Sequence, residues 1–392
     1  MEHDHNLRRS RSHSKARPKG RAQDVSKVEI HESGIVPSRP REALQTALSL
    51  PAPREQVLGF GASVTSAHDI LVVGGRLDEQ YPFAALYRIT PEGAVRERIL
   101  RGAPSHLGPC LATDGSRVVV GQPSADGGTG LVSVYRRREH DLEPEVTFEG
   151  EPGTAAGARF GERIAIGAEL LVLGQAASVS VYRHSPVGWL SAGALAPALP
   201  YSWNPMFGGS LGVVRGRVLV GNPVELSGHR AGPGRVCVYR QDADGSMVLE
   251  DTLLGDGIEF GRSDRPALGF GASLQVAGDF VLVGTPYEQL PSGASVSRVY
   301  VYRVSESGGF ARVASIPVPG CEGGVCLVGE RLFVLDDALH VLARQGNAFT
   351  ALARYALAYP AGARLTGCGR LLAIGQPNRG AGEVTLHFPE QL

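Results

Sequence analysis

The phrase LGFGASVTSAHDILVVGG at residues 58–75 returns near residue 268 as LGFGASLQVAGDFVLVGTP, with its apolar positions kept. A chain that repeats itself at this distance builds one supersecondary unit several times, and each unit must bury its apolar face against its neighbours. The spacing inside the phrase is constant. Thirteen positions separate the glycine of the FG pair, or its equivalent, from the glycine that closes the next apolar run. The pairs are Gly61 and Gly74, Gly108 and Gly121, Gly161 and Gly174, Gly208 and Gly221, and Gly271 and Gly284. Two degraded copies keep the offset, Gly323 with Asp336 and Gly362 with Gly375, so the chain holds seven units.

Behind each closing position comes a turn-rich segment and a further apolar run. These runs are ALYR to Arg88, VSVYR to Arg136, VSVYR to Arg183, VCVYR to Arg240 and VYVYR to Arg303, then LHVLA and EVTLHF in units six and seven. A fourth run follows, as in PEVTFEG, MVLEDTLL, ARVASIPV and ALARYALAY. Short apolar runs bounded by Gly, Pro, Asp and Ser are the signature of strands. The 52 glycines, about 13% of the chain against a usual value of about 7%, supply the turns that so many strands require. Four antiparallel strands repeated seven times predict an all-β fold, a seven-bladed β-propeller of four-stranded blades. The repeated phrase is then the innermost hairpin of a blade, where glycine permits close backbone approach.

Unit seven contains only three such runs. Residues 46–52, TALSLPA, resemble residues 355–361, YALAYPA, which form the fourth run of unit six. An N-terminal strand around residues 42–50 is therefore expected to complete blade seven and cover an edge that would otherwise invite aggregation. EALQTALSL also carries helix-forming residues, so a helix is the alternative. The chain divides into a basic tail, residues 1–40, and a propeller, residues 41–392.

Gly121-Gln122-Pro123, Gly221-Asn222-Pro223, Gly284-Thr285-Pro286 and Gly375-Gln376-Pro377 stand at the closing positions. With the FG pairs they resemble FG-GAP repeats, the blades of integrin alpha-subunit heads and of many bacterial propellers, over about residues 58–388. Many members of that family carry an acidic calcium loop in the first hairpin. The thirteen-residue spacing leaves no room for it, so no metal is expected in these blades.

Lys plus Arg and Asp plus Glu both number 39, so no long-range field draws the whole molecule to nucleic acid or membrane. No run of about eighteen apolar residues exists, and the start lacks the apolar stretch of a signal peptide. A cytoplasmic location is expected, with an extracellular one as the alternative. Residues 7–21, LRRSRSHSKARPKGR, hold seven Lys or Arg and no acid or aromatic residue. They read as a disordered, solvated tail, or as an electrostatic tether for a polyanion. The five cysteines, an odd set without a C-x-x-C pair, argue against a disulfide scaffold or structural zinc, although Cys321 and Cys326 are spaced to permit a bridge.

The sequence nominates no catalytic residue, cofactor or metal ligand. GGSLG at residues 208–212 matches the G-x-S-x-G nucleophile elbow, but Ser210 shares its repeat position with Ser63 and Ser273 inside a strand and no helix follows. Asp242-Ala243-Asp244-Gly245 lacks the remaining ligands of a calcium loop and reads as a hairpin turn. The expected function is a non-catalytic protein-interaction module, the alternative an extracellular glycan-binding or adhesion propeller. Loops between second and third strands share a face with the links between blades, and they are longest in units four and five. Long loops on a rigid frame commonly carry binding. Tyr201, Trp203, His229, Arg230 and Tyr287 are the expected contact residues, aromatic and Arg side chains being frequent hot spots, although Trp203 could equally pack its own loop.

Overall fold

The structure is a computed structural model. It describes residues 44, 48–53, 57–77, 81–90, 93–102, 110–139, 141–150, 159–175, 178–197, 204–227, 230–258, 260–261, 269–321, 324–368 and 370–392. These build seven four-stranded antiparallel sheets arranged as a β-propeller. The innermost strands are Leu58–Ala67, Cys110–Thr113, Arg163–Ile166, Ser210–Val214, Ser273–Ala277, Gly324–Val328 and Arg364–Cys368. In blades one to six the remaining strands follow outward in chain order. The helical elements among the described residues are two single turns, Asp126–Gly128 and Pro389–Gln391, and no helix there is long and apolar enough to cross a membrane.

Ring closure follows the expected plan with a shifted boundary. Leu48–Pro51 pairs antiparallel with Glu383–His387, Leu48 opposite Leu386 and Leu50 opposite Val384, and so forms the outermost strand of blade seven. The strand begins later than the expected residue 42. Of residues 42–47 only Leu44 is described, and it packs against the core between blades six and seven. The helix alternative fails for Leu48–Pro51 because alternation suits pairing: Leu50 is buried, while Ser49 turns outward and donates to Glu383 Oε1 at 2.6 Å. Cys321 and Cys326 are free thiols, not a bridge.

The core is divided among the seven clefts between neighbouring blades. One cluster joins blades four and five through Leu219, Val236, Val238, Phe270, Val281 and Tyr300, and another joins blades seven and one through Leu50, Phe60, Val73, Phe83 and Val384. The phenylalanine of each FG pair is the plug: Phe60, Phe160, Phe207 and Phe270 are all buried where their own blade meets the preceding one. A fully buried side chain of this kind contributes roughly 1.5–3 kcal/mol.

The glycines that fix the thirteen-residue spacing meet across these clefts. Gly271 has φ +91°, a left-handed conformation costly for any other residue, and a Cβ on Gly221 of the preceding blade would overlap the Gly271 carbonyl. Gly61 and Gly375 repeat the contact between blades one and seven, where a Cβ on Gly61 would lie 2.9 Å from the Gly375 Cα. Six blades also shift register by one residue at the step into the V-Y-R tyrosine or its equivalent, as at Val238/Tyr239 and Val301/Tyr302. Such a bulge adds local twist. Two of these tyrosines reach back to the preceding blade: Tyr239 donates to the Ala196 carbonyl at 2.7 Å and Tyr302 to the Leu254 carbonyl at 3.0 Å.

Candidate functional site

The long connection in blade four, after Arg217–Asn222, folds instead of forming an open loop. Leu226–Ser227 pairs with Arg230–Ala231, which pairs on its other side with Phe260–Gly261 from the link to blade five. Val224, Leu226 and Ala231 bury themselves beneath this three-stranded patch, against Met206. In blade five the corresponding length lengthens a hairpin: Phe280–Gln289 pairs with Ser295–Val304 as far as Gln289 opposite Ser295. The variable segments on the two blades are therefore ordered by backbone pairing.

Two buried carboxylates hold this surface. Glu225 is 1% exposed and engages the Arg235 guanidinium, while Asn222 donates to Glu225 Oε1 at 3.2 Å and to Asn204 Oδ1 at 2.7 Å. Burial pushes the Glu225 carboxyl above its ordinary range, more than the hydrogen bonds and charge of Arg235 pull it down. Glu288, also 1% exposed, accepts Tyr300 Oη at 2.7 Å and the backbone amides of Asp256 and Gly257 at 2.8 Å each. Its second oxygen lies 3.4 Å from Arg298 Nε. A hairpin of blade five thus clasps the link leaving blade four. Gly255 completes the clasp, since a Cβ there would strike Glu288 Oε1. The Tyr300 hydroxyl is held neutral, its acidity suppressed first by burial and then by its bond to Glu288.

Sequence reasoning missed both carboxylates, although a signal was present. Gly221-Asn222-Pro223-Val224-Glu225 and Gly284-Thr285-Pro286-Tyr287-Glu288 share the pattern G-x-P-x-E, and in both the arginine partner stands ten residues further on. Blade seven carries the same pairing with its charges exchanged: Arg379 occupies the fifth position and pairs with Glu383 at 2.5 Å.

Of the expected contact residues, Arg230 is exposed on the three-stranded patch and Tyr287 is half-buried on the blade-five hairpin. The Tyr287 hydroxyl donates to Gln289 Oε1 at 2.9 Å and accepts from Ser295 Oγ at 3.2 Å, which fixes the ring against its own hairpin. Tyr201, Trp203 and His229 lie outside the described residues, as does the basic segment 7–21. Beside Tyr287 runs the link from blade four, where Leu254 is 49% and Ile258 41% exposed and the Ile258 amide donates to the Gln289 carbonyl at 2.9 Å. Exposed apolar side chains on this link, with an exposed arginine on the strand Arg230–Ala231 of the same surface, are chemistry found at interface centres.

Other polar groupings are already engaged. Ser210 opens its innermost strand and donates to the Gly271 carbonyl at 2.7 Å, as a strand residue and not an elbow nucleophile. Asp242 and Gly245 close a hairpin turn, with the Asp242 amide bonded to the Ser246 carbonyl. Asp336, Asp337 and His340 bring three donor atoms within 4.8 Å, but His340 is 3.0 Å from Asp336 and the Arg354 guanidinium stands 3.3 Å from Asp337, where a metal ion would meet a cation. At the inner ends of blades one, five, six and seven, on the opposite face, lies an open cup of about 360 Å³. Its Ser66 and Thr366 hydroxyls bond each other at 3.0 Å, and its Arg344 stacks on Phe280 at 4.3 Å.

No family model matches the sequence, and no curated protein matches it. Solved structures do. A candidate 6-phosphogluconolactonase from Bacteroides uniformis is 13% identical, with a TM-score of 0.50 over 76% of this chain and 85% of that one. A chain of the mitotic checkpoint complex is 12% identical, with a TM-score of 0.54 over 90% of this chain and 97% of that one. Hsv2p of Kluyveromyces lactis is 13% identical, with a TM-score of 0.51 over 82% and 90%. At such identities the likeness is one of fold alone.

Proposed function

We propose that this propeller, with blades of the FG-GAP type, is a non-catalytic interaction module that presents the stapled surface over blades four and five to a protein partner. The observation that carries the reading is the pre-organised strip itself. Leu254 and Ile258 are exposed on the link that Glu288 clasps beside the Tyr287 hairpin, and Arg230 is exposed on the strand patch of the blade that Glu225 and Arg235 hold. A surface ordered before binding loses little conformational freedom on association. The non-catalytic part rests on the same two carboxylates, whose oxygens are engaged by arginines, a tyrosine and backbone amides. That a chain of like fold belongs to the mitotic checkpoint complex lends weight to a place in an assembly.

Replacing Arg230 and Tyr287 together by alanine tests the reading. The immobilised wild-type ring should retain a discrete protein from native lysate at fixed stoichiometry. The double variant should lose it roughly tenfold or more, the scale of one to two hot spots, with a melting temperature nearly unchanged. Equal capture by the double variant would refute the assignment.

A further inference from the structure

We propose that the mouth of the central channel, on the face that carries the loops, binds a phosphoryl group between Arg163 of blade three and Arg364 of blade seven. The two arginines hold the same place in their repeats, each opposite the closing glycine: Arg163 faces Gly174 and Arg364 faces Gly375. The other five blades carry Ser63, Cys110, Ser210, Ser273 and Gly324 at the equivalent pair of the hairpin, so only blades three and seven carry long cations at this level. In a ring of seven, those blades stand across the channel from each other.

The local bonds leave both guanidiniums with donors to spare. Arg163 Nε donates to the Gly209 carbonyl at 3.0 Å and its Nη1 to the Glu162 carbonyl at 3.0 Å. Arg364 Nη1 donates to the Ala363 carbonyl at 2.9 Å, and among the described residues no carboxylate pairs with it. Arg364 is exposed to solvent yet closely surrounded by protein, as a channel-lining side chain would be. That crowding, followed by the charge of Arg163, lowers its proton affinity. Among the described residues Glu162 is the one carboxylate paired here, and it is shared between Arg159 at 2.9 Å and Arg163 at 3.4 Å. Three guanidiniums against one carboxylate leave an excess of two positive charges at this level of the ring. A phosphoryl group carries about −1.5 to −2 at neutral pH and presents oxygens that match the guanidinium fork. Like charges held together without a counter-ion repel, so an anion of that valence relieves the site.

This inference does not depend on the protein-interaction reading, because the variants and the ligand differ. Titration calorimetry of the full chain at low salt, with inorganic phosphate, sulfate and acetate as probes, tests it. Phosphate and sulfate should bind saturably at one site and acetate should not. Arg364→Gln and Arg163→Gln should each weaken phosphate by about tenfold or more, the scale of losing one charge-assisted pair. Arg364→Lys should recover part of the loss, and Arg303→Gln, an exposed arginine on the third strand of blade five, should change nothing. Melting by circular dichroism establishes that each variant is folded. Glycerol phosphate binding as tightly as phosphate identifies a phosphate monoester as the ligand class, whereas binding of phosphate alone identifies the free ion. The absence of saturable phosphate binding, or an unchanged isotherm in folded Arg364→Gln, would overturn the proposal.

Discussion

Glu225 and Glu288 show how one residue type, placed at one repeat position, sets the surface above it. Both follow G-x-P-x, both turn beneath a connection, and both meet an arginine on the third strand. The recurrence can be read in the sequence. The burial cannot, because G-x-P-x-E on a polar connection looks like any solvated loop until the chain folds back over it. Glu225 gives this a pH signature. Its carboxyl is raised in the fold by burial, so the folded chain holds that proton more tightly than the unfolded one does. Its contribution is fully present below the ordinary value near 4.5 and is lost as pH rises through the raised value. Urea unfolding of wild type and Glu225→Gln between about pH 4 and about pH 7 should show wild type losing ground to the variant as pH rises. A difference that stays flat, or that moves toward wild type, would contradict this assignment.

Among elements, the hairpin carrying the thirteen-residue spacing was the most legible, because its glycines answer a demand that no other residue meets: the backbones of neighbouring blades touch there. The outer limits were less so. The strand Leu48–Pro51 draws on a stretch rich in helix formers, and the unpaired edge of Glu383–His387 decides in favour of pairing. That edge lies more than three hundred residues away, which local propensity cannot register. Deleting residues 1–52 should therefore destabilise the ring by about 3 kcal/mol or more, from the burial of Leu50 and the lost ladder bonds. Deleting residues 1–38 should leave the melting temperature nearly unchanged. Equal melting of the two truncations would show that the strand does not close the ring.

At the scale of the whole molecule, the seven clefts were foreseeable from the repeat count, and so was the sharing of one face by the long connections and the links between blades. Their conformation was not. Arg230–Ala231 joins Phe260–Gly261 across some thirty residues, and such non-local pairing leaves no periodicity to read. Arg163 and Arg364 were equally hidden, since nothing local in the sequence says that blades three and seven face each other. What the ring offers is a rigid face with one ordered, partly apolar sector and an opposite face of short polar turns. Hydrogen exchange of the ring bound to its captured partner tests this account most directly. Protection is predicted at residues 224–227, 230–235, 254–258 and 286–295, with little change elsewhere. Protection confined to the opposite turns, such as residues 185–188, 242–246 and 305–309, would contradict it.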